Sequence, residues 1–421
     1  MFREVLTMIL AGGRGTRLEP LTRDRAKPAV PFGGLYRIID FTLSNCINSG
    51  LRKTFVLTQF KSRSLDRHIR RGWNFLSAEL GEWIEVLPPQ QRIDEHWYKG
   101  TADALYQNIY SIEKDGPPLV MILAGDHIYK MDYGDMLAEH RDRGAALTVG
   151  CIRVPVAESD QYGIVQTQAD DRIVGFAEKP PAAAGLPDDP AMALGSMGIY
   201  VFDTRVLFEQ LCADAADPAS SHDFGKDIIP AMIRDGLDVY AHRFRDRNGK
   251  PTPYWRDAGT LDAYYQANMD LVSGEPVLNL YDEEWPIRTL QHPSPPPKFV
   301  HAADGPLGHA RRGEAIDSIV SGGCIVSGGQ VRRSLLSPMV RVNSYAVVED
   351  SILFEGVDVG RYCRIRRAII DKDVKLPPYT VIGFDREFDL ARGFTITESG
   401  IVVVPKAEPP DTFQAPNHLP Y

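Results

Sequence analysis

The residues with the most chemical promise come first in the chain. An apolar run, Val5–Leu10, empties into Gly12-Gly13-Arg14-Gly15-Thr16-Arg17-Leu18. Three glycines let backbone N–H groups come close to a phosphate chain, and two arginines add charge-assisted donors. This is not a Walker loop, since no Gly-Lys-Ser/Thr follows, and Leu18 stands where a dinucleotide fingerprint has its third glycine. A bare glycine turn is the alternative for such a loop taken alone. Farther on, Asp126 closes the apolar stretch Val120–Leu123, where a carboxylate is costly unless paired or bound to a cation. With Asp257 it can hold Mg²⁺ through two carboxylates plus phosphate oxygens, or it can cap a helix. Glu178-Lys179 precedes Pro180, which is expected to keep the segment extended. The lysine offers a compact charge for a monoester phosphate, and the glutamate can accept sugar hydroxyl protons. A solvated surface pair is the other reading. His127, beside Asp126, is read as structural, because an ionised phosphate needs no strong base in order to attack.

These residues need a scaffold. Val5–Leu10, Thr54–Thr58, Leu119–Leu123, Ala146–Cys151 and Gly198–Phe202 read as buried strands, with helices expected at Ser44–Ser49, Ala102–Ile112, Tyr133–Arg143 and Leu261–Leu271. Alternation of this kind implies an α/β fold with a mostly parallel sheet and ligands at the carboxyl ends of its strands. Residues 275–300 carry six prolines and read as an extended linker. Beyond about 310, small apolar residues recur every six positions: Ile319, Ile325, Val331; Val340, Ala346, Ile352; Val357, Cys363, Ile369. A six-residue step is one side of a triangular parallel β-coil. An antiparallel sheet with irregular turns is the rival, but three separate groups keep the same step.

The chain has 421 residues, enough for two or three domains, and 43% of them are apolar. Lys plus Arg number 47 against 56 Asp plus Glu, a net charge of -9. That balance argues against a nucleic-acid binder but leaves room for a local basic pocket. No apolar run approaches the roughly 18 residues of a membrane helix, so no membrane partner is expected. The apolar start after Arg3 lacks the cleavage pattern of a signal peptide. Five scattered cysteines without a C-x-x-C pair fit reduced thiols of a cytoplasmic protein and no zinc site.

The whole stretch Leu10–Pro31, with Lys27-Pro28-Ala29-Val30-Pro31 closing it, resembles the nucleotide-binding segment of sugar-1-phosphate nucleotidyltransferases. Further blocks narrow the likeness to the bacterial ADP-glucose pyrophosphorylases (glucose-1-phosphate adenylyltransferases). They are Arg37–Phe41, Trp97–Ala104, Ala124–Lys130, Glu178-Lys179-Pro180, Ser196–Tyr200, Ser221–Asp227 and Tyr254–Asp257. The resemblance covers nearly the whole chain in order. It implies a Rossmann-like nucleotidyltransferase domain over 1–275, the linker over 276–300, and a left-handed parallel β-helix over 301–421 that serves regulation and oligomerisation. The implied reaction is ATP plus α-D-glucose 1-phosphate giving ADP-glucose and pyrophosphate, for glycogen synthesis.

By the same resemblance, Leu10, Ala11, Gly12, Gly13, Arg14, Gly15, Thr16, Arg17, Lys27 and Gly100 bind the nucleotide. Arg14, Lys27 and Asp126 serve catalysis, and Asp126 and Asp257 hold Mg²⁺. Tyr98, Gly163, Glu178, Lys179 and Ser196 bind glucose 1-phosphate, with Asp223 and Trp255 shaping the same pocket. Arg25 and Arg37 match positions that contact anionic effectors, and a homotetramer is implied. Members activated by fructose 1,6-bisphosphate carry a lysine at the position of Asp24, and a basic tail where Pro405–Tyr421 has only Lys406. Fructose 6-phosphate or pyruvate is therefore the expected activator, with AMP- or phosphate-type inhibitors. Three rivals are weighed. One is a nucleotidyltransferase for another base or sugar. A coil with acyltransferase activity needs a histidine base, and none lies between His309 and His418. A non-catalytic regulatory subunit tends to lose the loop and metal residues, all of which are present.

Overall fold

A computed structural model describes residues 4–89, 97–250, 253–303 and 311–406. The chain forms two compact units built from interleaved stretches. The first takes residues 1–13, 41–253 and 283–287, and the second takes 14–40, 254–282 and 288–421. Residues 14–40 and 254–275, expected in the nucleotidyltransferase domain, thus fall in the second unit, as do 276–282 of the expected linker.

In the first unit, nine strands make one sheet among the described residues. They are β1 (Val5–Leu10), β2 (Lys53–Leu57), β3 (Trp83–Leu87), β4 (Leu119–Ala124), β5 (Leu147–Pro155), β6 (Gly163–Thr167), β7 (Ile173–Glu178), β8 (Met192–Asp203) and β9 (Val239–Arg243). β4, β1, β2 and β3 run parallel, and β9 pairs parallel with β5. β8 is antiparallel to β4, β5 and β6, and β7 is antiparallel to β6. β1 is fully apolar but for Thr7 and buried on both faces, as a central parallel strand requires. The helix expected over Ala102–Ile112 is two, Thr101–Tyr106 and Ile109–Asp115. Asn108 lies at the break, its side-chain amide donating back to the Ala104 carbonyl and to the Tyr98 hydroxyl. Such local side-chain bonds compete with helix continuation.

In the second unit the six-residue step is one side of a three-sided coil. Strands pair in parallel with partners one turn later: Val326 with Val342, Val331 with Val348, Leu336 with Leu353. The next turn adds Val359, Ile365 and Ile370 to the same columns. These residues stack inward as one apolar core, in an arrangement consistent with a left-handed β-helix. Three corner residues one turn apart, Tyr345, Tyr362 and Tyr379, sit at φ 64°, 62° and 67°. Each pays about 1 kcal/mol for left-handed backbone. Their rings stack at 4.9 and 5.0 Å, which returns a similar amount.

Not all of the six-step residues face inward. Ile352 and Ile369 neighbour the inward Leu353 and Ile370, so alternation turns them to the outer face, yet both are buried. That face is covered from within the same unit. A β-carbon on Gly34 would lie 3.5 Å from Leu335 and 3.7 Å from Ile319. Tyr264 meets Phe354 edge to face at 6.5 Å, and the Tyr265 hydroxyl donates to the Asp350 carbonyl at 2.7 Å.

The proline-rich linker has neither helix nor strand between Val272 and Lys298. Within the first unit, Trp285 Nε1 donates to Asn45 Oδ1 at 2.9 Å, with Arg247 stacked over the indole. Cys46, Cys151, Cys324 and Cys363 are buried free thiols, and Cys212 is an exposed one. No described helix is long and apolar enough to cross a membrane.

Candidate active site

The first unit carries the residues expected on the sugar side, Trp255 apart. Glu178 ends β7 directly opposite Gly163 on β6. Pro180 does not keep this segment extended. Lys179 adopts φ 49°, and its N–H donates to the Tyr162 carbonyl at 3.0 Å. A left-handed lysine is uncommon, and here the turn leaves its ammonium 3.8 Å from Glu178 Oε1. Burial raises the Glu178 carboxyl above its ordinary range, with Asp223 adding to the effect, while Lys179 and Lys226 oppose it.

Gly163 has no room for a side chain: a β-carbon there would sit 2.8 Å from Glu178 Oε2 and 2.5 Å from the Phe176 ring. Asp223, expected to shape the same pocket, holds backbone. Its Oδ1 accepts from the N–H groups of Gly225 and Lys226, and its Oδ2 accepts from Thr101 Oγ1 at 3.1 Å. It therefore caps the short helical segment Phe224–Ile228 and ties it to the helix at Thr101. Ser196 lies where the β8–β5 register shifts, and its hydroxyl accepts from Gly198 N–H. The buried Tyr200 hydroxyl is pushed up by desolvation, relieved by Ser196, and it senses both Asp223 and Glu178. Tyr98 is half-buried against the core of this unit, its hydroxyl accepting from Asn108. Gly100 has a packing reason of its own, since any side chain would collide with the His222 carbonyl.

At the carboxyl ends of β1 and β4, Gly125 N–H donates to the Leu10 carbonyl at 3.0 Å, setting Asp126 beside the start of the glycine loop. Gly12 passes so close to Gln59 that a β-carbon would be 3.0 Å from it. The element after Asp126 is the strand His127–Tyr129, so Asp126 caps no helix. His127 Nε2 is 3.8 Å from its carboxylate.

The second unit carries the rest of the loop. Gly15 sits at φ 63°, pressed against Lys27 and Thr22, whose hydroxyl donates back to the Gly15 carbonyl. The buried Lys27 ammonium donates to Asp257 Oδ1 at 2.6 Å. Asp257 Oδ2 and an Arg17 guanidinium nitrogen both border Gly259, where a β-carbon would lie 3.0 and 3.2 Å from them. Arg14 is exposed, and Trp255 is buried in the same unit. Asp126 and Asp257 are each about one-third exposed, and both offer hard oxygen donors. No cluster of three or more His, Cys, Asp or Glu ligands gathers among the described residues. Carboxylate oxygens of this kind, completed by phosphate oxygens and water, are what Mg²⁺ takes.

Arg25 is not a surface charge. One guanidinium nitrogen donates to both carboxylate oxygens of Asp371, at 2.8 and 3.0 Å, and both side chains are more than nine-tenths buried. Lys372, next in sequence, donates to Glu355 at 2.8 Å. Burial lowers the Lys372 ammonium, Glu355 opposes this, and nearby Arg37 and Arg25 lower it further. Burial pushes the Glu355 carboxyl up, but Lys372, His292 and Arg37 outweigh that and hold it below its usual range. Lys372 thus lies within electrostatic reach of Arg25 and Arg37, though nothing in Asp371-Lys372-Asp373 sets it apart from a solvated turn. Residues 407–421, most of the tail read for effector charge, lie outside the described residues.

Comparison with known proteins agrees with this geometry. The family model for nucleotidyl transferases matches residues 6–274, and that for the GlmU-like C-terminal hexapeptide region matches 295–404. A glucose-1-phosphate adenylyltransferase of Rhodopirellula baltica is 60% identical over 97% of this chain and 91% of its own. Those of Koribacter versatilis and Methylococcus capsulatus are 56% and 55% identical, over 95% and 96% of this chain and 95% and 93% of theirs. With this identity along nearly its whole length, the chain belongs to the nucleotidyl transferase family, in its glucose-1-phosphate adenylyltransferase group.

Proposed function

We propose that this enzyme transfers the adenylyl group of ATP to α-D-glucose 1-phosphate, giving ADP-glucose and pyrophosphate. The observation that carries the reading is the Glu178–Lys179 turn, a carboxylate for hydroxyls beside an ammonium for a monoester phosphate. A sugar-phosphate oxygen attacks the α-phosphorus of ATP in line, the bond to the bridging oxygen breaks, and pyrophosphate departs. The attacking oxygen is already ionised, so positioning and charge neutralisation supply the catalysis. Arg14 and the glycine loop hold the departing phosphates, and Lys27 steadies the α-phosphate. Lys27 exchanges its ion pair with Asp257 for that contact. Asp126 and Asp257 would hold Mg²⁺, which neutralises phosphate charge when bound.

The product feeds glycogen synthesis in the cytoplasm, and the enzyme works as a homotetramer. Arg25, Arg37 and Lys372 bind an anionic metabolite, fructose 6-phosphate or pyruvate, with AMP or phosphate opposing it. Purified protein assayed with ATP, GTP, UTP and dTTP against several sugar 1-phosphates tests the reaction. Preference for another base or sugar overturns it.

A further inference from the structure

Glu178 is clasped from two sides by missing side chains. Gly163 lies on one side. On the other, a β-carbon on Gly225 would stand 2.7 Å from Glu178 Oε2 and 3.3 Å from its carboxyl carbon, closer than packed atoms approach. Gly225 is fixed where it is, because its own N–H donates to Asp223 Oδ1 at 2.9 Å. Its backbone is not left-handed, so the glycine is not there for conformational freedom. Space is what it provides.

We infer that Gly225 is a positioning residue for sugar recognition, keeping open the slot that fixes the Glu178 carboxylate against the hydroxyls of the hexose 1-phosphate. The inference rests on the assignment of Glu178 to the sugar. The two glycines differ in how cleanly they report it. An alanine at 163 would also strike the Phe176 ring. An alanine at 225 meets first the free end of the Glu178 side chain, which can rotate away, and Asp223 Oδ1 only at 3.4 Å. Gly225→Ala therefore leaves the fold intact and moves the carboxylate.

The test measures steady-state kinetics of the full-length Gly225→Ala protein with glucose 1-phosphate and ATP, beside Glu178→Ala, Glu178→Asp and the Gly225→Ala/Glu178→Asp double variant. The expected result for Gly225→Ala is a rise of about tenfold or more in KM for the sugar phosphate, as for loss of a hydrogen bond to a charged group. KM for ATP and the melting temperature stay near the parent's. Because aspartate is shorter by one methylene and withdraws from the slot, adding Gly225→Ala to Glu178→Asp should cost much less than adding it to the parent. A merely structural role would show equal costs in both backgrounds. If Glu178→Ala raises KM for the sugar phosphate and Gly225→Ala does not, the inference is wrong and the sugar site stands. If Glu178→Ala itself leaves that KM unchanged, the sugar-site assignment falls, and the inference with it.

Discussion

Replacing Arg25 with alanine should cost stability before it touches regulation. The substitution strands Asp371, a carboxylate with 4% of its side chain exposed, whose remaining partner is the Lys372 N–H. Breaking a buried ion pair from one side costs about 3–5 kcal/mol. The lower end applies, because a single nitrogen serves both oxygens instead of the stronger two-nitrogen fork. With a urea slope of ~3 kcal/mol/M, ~3 kcal/mol moves the unfolding midpoint down by about 1 M. Equilibrium urea unfolding of parent, Arg25→Ala, Asp371→Leu and an Arg25→Met/Asp371→Leu double variant measures it. The double variant leaves no lone charge and should recover most of the loss. A midpoint shift below about 0.3 M for Arg25→Ala refutes the reasoning. Flattened activation in that variant would therefore report a damaged unit as much as a lost effector contact.

Lys179→Ala should raise KM for glucose 1-phosphate by roughly 10- to 150-fold, with little change in kcat or in KM for ATP, since the phosphate is charged in both ground and transition states. A rise in KM for ATP alone would move Lys179 to the nucleotide side. Asp126→Asn should keep the fold and lower kcat at least about 10²-fold at saturating Mg²⁺; near-normal turnover would remove Asp126 from the site. His140 is buried with its Nδ1 2.9 Å from Thr148 Oγ1, and burial lowers it from 6.5 to about 4, aided by Arg141 and opposed by Asp203. The neutral ring's contribution is present above pH 6.5 and is lost as the pH falls toward 4, about 3 kcal/mol in all. Urea unfolding at pH 7 and pH 4.5 should show that slope, and it should shrink in His140→Gln.

The glycine loop stood out in the sequence because phosphate chemistry asks for those residue types in that order, and the coil was legible because its rungs repeat. What the sequence could not show came from distant packing. Ile352 and Ile369 share the hexad step with inward residues yet serve the outer face, because a separate stretch of chain covers it. Arg25 matches an effector position in the sequence, and only the structure shows it buried against Asp371. Gly225 reads as part of a matched block, and its reason appears only when Glu178 fills the space. The strand over Gly198–Phe202 was visible, but not its start at Met192 or its antiparallel direction. Apolar content marks burial and carries no sign of orientation.

The interleaving of the two units bears on how the chain is made. Arg25 and Asp371 are 346 residues apart, and the stretch that shields one face of the coil leaves the ribosome long before the coil exists. At about 5–20 residues per second, that stretch waits roughly 20–70 s for its partner. During that time its apolar side chains and its arginine must be kept in water or by a chaperone. A fragment starting at residue 301 would emerge with that face bare. Truncation at the apparent domain boundary therefore uncovers apolar surface that the full chain buries.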